Sequence, residues 1–85
     1  MSHQYLKKPA LLKRSINLSG HATSISIENA FWDALHDISK EKKISMNALI
    51  NFIDRQREGN LSSAIRLYIL HFMQKRIHEL EEGEK

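Results

Sequence analysis

Between Arg14 and Ile27 polar and apolar residues alternate: Ser15, Asn17 and Ser19 interleave with Ile16 and Leu18, and after Gly20-His21 the pattern resumes through Thr23, Ser24, Ile25, Ser26 and Ile27. A period of two marks half-buried strand, so strands are predicted over 15–19 and 23–27. Ile25 and Ile27 form the apolar side of the second run, which turns Ser24 and Ser26 the other way. The two runs make either a hairpin about Gly20 or an arm followed by one strand. At Glu28 the period becomes helical, with Phe31, Leu35 and Ile38 on one side, Trp32 beside them, and Asp33, Asp37 and Lys40 opposite. This predicts a first helix over about 29–41, with Glu28 as its cap. Ser45 is a good N-cap for a second helix over 46–57, whose stripe is Met46, Leu49, Ile50 and Ile53. Gly59-Asn60 ends it, and a third helix is expected over 61–82, with Leu61, Ala64, Ile65, Tyr68, Phe72 and Met73 on one face. Leu67, Ile69, Leu70, Ile77 and Leu80 widen that stripe beyond what a surface helix needs, which argues for a dimer core.

The expected class is mainly α with a short β-ribbon. One or two strands are too few for a stable sheet in a single chain, whereas two identical edges pairing across a two-fold axis complete one. The sheet is therefore expected to form between subunits.

With 85 residues and no cysteine, the chain suits one small domain and excludes disulfide scaffolds, thiolate zinc sites and cysteine nucleophiles. The net charge of +3 is unevenly spread. Residues 1–27 carry Lys7, Lys8, Lys13 and Arg14 and no acidic residue, while residues 28–85 carry nine basic and ten acidic ones. A basic segment ahead of a near-neutral body points to an anionic partner. Residues 1–13 hold the only proline, Pro9, and show no period, so they read as a basic arm before a single domain over 14–82 and a short tail over 83–85. With no apolar run of membrane-spanning length and no secretory leader, a soluble, cytoplasmic protein is expected.

The run TSISIENAFWDALHDISKEKKISMNALINFID resembles the ribbon-helix-helix DNA-binding proteins. RSINLSGHATSISIENAFWDAL together with GNLSSAIRLYIL is similar to a bacterial subfamily that adds a helix after the usual two, and the likeness covers about residues 14–76. The resemblance implies an intertwined homodimer in which antiparallel strands from two subunits form a ribbon that enters the major groove of double-stranded DNA. It implies a transcriptional regulator, a repressor by occupancy of an operator, while the residues themselves lead us to expect no enzyme and no cofactor. Carried over by position, Ile25 and Ile27 match buried ribbon residues, Ser24 and Ser26 outward base-reading positions, and Ser45-Met46-Asn47 the helix start that holds a phosphate. Independently of any family, an alternating strand offers every second side chain to base edges, and a helix N-terminus offers unpaired amides to an anion. Serines are short readers, so Asn17 and Arg14 are further base-contact candidates. Lys42, Lys43, Lys13, Lys7 and Lys8 are phosphate-contact candidates. The expected dimer core is Ile25, Ile27, Leu49, Ile50, Ile53, Tyr68 and Phe72.

Other chemistry finds little footing. Phe31, Trp32, Phe52, Tyr68 and Phe72 have helical spacings and read as core rather than as base-stacking platforms. His3, His21, His36, His71 and His78 include no H-x-x-x-H pair, so no metal is expected. Gly20, Gly59 and Gly83 are too far apart for a phosphate-binding loop, and Asp33, Asp37 and Glu41 form an ordinary solvated helix face. The alternative function is a protein-interaction module, an antitoxin-like or adaptor subunit that uses the third helix and the HELEEGEK tail. A membrane-surface binder is a more distant reading.

Overall fold

Ser19 and Gly20 both take positive φ, 50° and 84°, the backbone of a two-residue type I′ turn whose twist matches that of paired strands. In the computed structural model, which describes residues 11–83, this turn joins β1 (Leu11–Leu18) to β2 (His21–Glu28) in an antiparallel hairpin. Three helices follow: α1 (Asn29–Lys42), α2 (Met46–Gln56) and α3 (Leu61–Gly83).

The alternation places Arg14, Ile16 and Leu18 of β1 on the same face as Thr23, Ile25 and Ile27 of β2, since Arg14 opposes Ile25 and Ile16 opposes Thr23. Ile16 and Ile27 are buried there against Leu35 and Ile38 of α1, Leu49, Ile50 and Ile53 of α2, and Leu61, Ile65 and Ile69 of α3. Six of these side chains are sealed from solvent: Ile27, Leu35, Ile38, Leu49, Ile50 and Ile65. Truncating one to alanine costs about 2–5 kcal/mol. The expected dimer-core residues Ile27, Leu49, Ile50 and Ile53 thus pack within one chain, with Ile25, Tyr68 and Phe72 half-buried around them.

The helix ends follow local chemistry. Ser45 caps α2, its Oγ accepting from the Ala48 amide at 3.0 Å. Asn60 does the same for α3, its Oδ1 accepting from Ser63 N at 2.8 Å. Lys43, with φ 59°, ends α1 in the left-handed region; its amide donates to Lys40 O and that of Ile44 to Ser39 O, a Schellman pair.

Two expectations, on the strand bounds and on the cap of α1, need correction. Both strands are longer than the alternation indicated, and Leu11–Lys13 belong to β1 rather than to an arm; Leu11 and Leu12 are 58% and 42% exposed, so no one-sided burial marks this end of the ladder. Within the chain β1 and β2 pair as a hairpin closed by the local turn, which decides between the hairpin and the arm; an intertwined dimer fits this fold. Glu28 occupies the N-cap position of α1 but makes no side-chain cap, its carboxylate being held by Arg66 of α3.

Candidate nucleic-acid interface

The register assigns an outward face to the hairpin. Lys13 opposes Ser26, Ser15 opposes Ser24 and Asn17 opposes Ala22, all on the face away from Ile16 and Ile27 and all exposed. Ser24 and Ser26 therefore point away from the core as expected. Lys13 and Ser15 stand directly across from them, so four hydrogen-bonding side chains share one patch.

Arg14 is not in that patch. It shares the inner face with Ile16, lies over the Trp32 ring at 5.3 Å, and donates from Nη2 to Asn29 Oδ1, while its Nε is buried without a partner. The base-contact role expected of Arg14 conflicts with this placement, since residues two apart on a strand face the same way. Asn17 does lie on the outward face, but its Oδ1 accepts from the Gly20 amide at 3.0 Å and shapes the turn.

The hairpin is fixed to the helices along both free edges. Closing a two-residue turn with a bonded Leu18–His21 pair sends the backbone groups of Asn17, Ser15 and Lys13 to the outside of β1, and those of Ser24 and Ser26 to the outside of β2. Asn47 Oδ1 accepts from Asn17 N at 3.2 Å, Asn51 Nδ2 donates to Asn17 O at 2.7 Å, and Asn51 Oδ1 accepts from Ser19 N at 2.8 Å. On the other edge Ser62 Oγ donates to Ser26 O at 2.9 Å. Asn51 and Ser62 were not among the candidates. Their signal in the sequence is the one-turn spacing of Asn47 with Asn51 and of Ser62 with Arg66, which sets each pair on one side of its helix.

The Asn47 contact brings the start of α2 beside the hairpin turn. Ser45 satisfies Ala48 and Leu49, which leaves the amides of Met46 and Asn47 without an intrahelical partner at the positive end of the helix dipole. Such an end accommodates a phosphate. Lys43 is exposed just before it, whereas Lys42 leans over the Phe72 ring at 5.6 Å. Lys7 and Lys8 lie outside the described residues.

At the open end of the hairpin, the charge of Glu28 is answered by Arg66, whose Nε and Nη2 both reach Oε1, at 3.0 and 2.7 Å. These hydrogen bonds, the glutamate's own backbone amide and the guanidinium charge outweigh desolvation and hold the Glu28 carboxyl below its ordinary pKa. Arg66 in turn rests on Phe31 at 5.6 Å. The aromatics mostly serve packing: Tyr68 meets Phe52 edge-on and Phe72 in a stacked arrangement, each at 6.5 Å, although Phe52 is 44% exposed. Among the described residues no three His, Asp or Glu side chains converge as metal ligands, and no helix is long and apolar enough to cross a membrane.

A hairpin with one polar face, followed by two short helices whose junction presents a free N-terminus, agrees with what a family comparison returns: the model described as "Ribbon-helix-helix domain" matches residues 11–73. The chain belongs to the ribbon-helix-helix family. This ribbon-helix-helix protein is also similar in structure to an uncharacterized protein from Bordetella pertussis Tohama I, with 26% identity and a TM-score of 0.73 over 87% of the present chain and 64% of that one. No curated protein matches it. The family is a non-enzymatic DNA-binding fold whose members commonly act as transcriptional regulators.

Proposed function

We propose that this protein is a homodimeric, sequence-specific double-stranded DNA-binding regulator, a non-enzymatic cytoplasmic repressor that occupies its operator. The observation that carries the reading is the outward patch of Lys13, Ser15, Ser24 and Ser26 on a hairpin whose turn is tied to the exposed N-terminus of α2. In this reading the hairpin enters the major groove and the serines and Lys13 meet base edges. Serine hydroxyls donate or accept, and a lysine ammonium donates to guanine acceptors. The amides of Met46 and Asn47, with Lys43, hold a flanking phosphate and set the depth of insertion. Lys7 and Lys8 add phosphate contacts ahead of β1. Two copies supply two such hairpins and double the net charge, which favours a palindromic site.

Phosphate contacts release counterions, so binding must weaken with salt. About six neutralised phosphates per dimer give a log–log slope of affinity against salt near −5. A fluorescence-anisotropy titration of labelled duplex at several salt concentrations measures it. Absence of duplex binding at low salt contradicts the reading.

The interaction-module reading draws on the apolar residues α3 leaves in solvent, and it is compatible with DNA binding because the two surfaces differ.

A further inference from the structure

The second half of α3 is built unlike the rest of the molecule. Up to Phe72 the helix alternates buried and exposed positions, with Leu61, Ile65 and Ile69 in the core; from residue 73 to 83 every position is exposed. An isolated helical extension of about three turns is marginal in water unless something packs on it. An exposed apolar line runs into this extension: Leu70, Met73, Ile77 and Leu80, 54%, 38%, 56% and 63% exposed. Their spacings of three, four and three residues are those of a coiled-coil seam, on a side of α3 distinct from Leu61, Ile65 and Ile69. The family match stops at residue 73, so Ile77 and Leu80 lie beyond the shared domain.

We propose that this line is a self-association seam, along which α3 pairs in parallel with α3 of a second copy of the chain. Parallel pairing stacks Leu70, Met73, Ile77 and Leu80 each on its own counterpart about a two-fold axis, a closed arrangement that uses one surface twice. Charge singles out a second copy as the occupant. With Leu70 and Ile77 at the a positions and Met73 and Leu80 at d, Arg76 falls at g and Glu81 at the following e, the two positions that face one another across a parallel pair. Each copy thus offers a cation where the other offers an anion, twice per dimer. Arg76 already donates to Glu41 and lies over Phe72 at 4.9 Å, which fixes its stem beside the seam while other guanidinium donors remain. The seam depends neither on DNA binding nor on hairpin pairing.

The absence of cysteine makes a clean test available. Ile77→Cys puts one thiol on the seam, and Lys75→Cys puts one on the opposite side of the same helix turn. Under mild oxidation of the full chain without DNA, I77C is expected to form an interchain disulfide about tenfold faster than K75C, because only seam positions meet their counterparts at bridging distance. L80C, one layer further along, repeats the measurement should I77C fail to give a native circular dichroism spectrum. Equal rates at seam and control positions overturn the proposal. So does a wild-type chain that sediments as a monomer across the concentrations used, an outcome that leaves the stripe to a different protein.

Discussion

Ser19 holds φ at 50° in the first central position of a turn that asparagine and glycine fill more readily. Its amide, not its hydroxyl, contacts Asn51, so the side chain is free to change. Ser19→Asn should raise stability by about 0.5–1 kcal/mol by relieving the left-handed penalty, seen as a higher urea midpoint with unchanged slope. At the other end of the hairpin, Glu28 has a folded-state pKa below its ordinary value through Arg66. A carboxylate of this kind contributes stability that is present above its unfolded pKa and lost as pH falls through the lowered folded one. Glu28→Gln should therefore destabilise the protein at neutral pH by about 1 kcal/mol, the scale of a partly exposed pair, and the difference from wild type should narrow as the pH falls below the ordinary carboxylate range. Thermal melts of both proteins across pH 3–7 check the sign.

The elements differ in how openly the sequence declares them. The stripes of α1 and α2 stand out in Leu35 and Ile38, and in Leu49, Ile50 and Ile53, because those faces meet the core at a regular helical period. A break at Gly20 was visible, but not that Ser19 belongs to the turn, nor the lengths of β1 and β2, since Leu11, Leu12 and Lys13 are all exposed and alternation needs one buried side to appear. The pairing of β1 with β2 follows from the local turn, and the contacts of Asn47, Asn51 and Ser62 seat the hairpin on the helices. The side on which Arg14 lies was legible by parity, since it stands two residues from Ile16. Once parity is applied to the full register, Lys13 and Ser15 join Ser24 and Ser26. If that face reads bases, S24A/S26A should alter the sequences recovered in a binding-site selection more than it alters affinity for random duplex. An unchanged set of recovered sequences would show that the serines carry no base discrimination.

At the scale of the whole molecule, a polar hairpin face, a free helix start and an exposed apolar line are arranged around one core. The polar hairpin face and the start of α2 lie together through the Asn17–Asn47 contact, and the apolar line of α3 lies on an element that outruns the core. The excess hydrophobicity of α3, read in the sequence as one wide stripe, divides into a core face and a solvent face. The net charge of +3 has the same lesson of placement over total: Glu28 is neutralised by Arg66, while Lys13 remains exposed on the hairpin.

If the hairpin and the start of α2 form the DNA surface, backbone amide resonances of the full chain will report it as duplex DNA is added. The largest shifts are expected at Lys13, Ser15, Ser24, Ser26, Met46 and Asn47, with the C-terminal half of α3 little changed. Shifts concentrated on α3, or none at low salt, would contradict it.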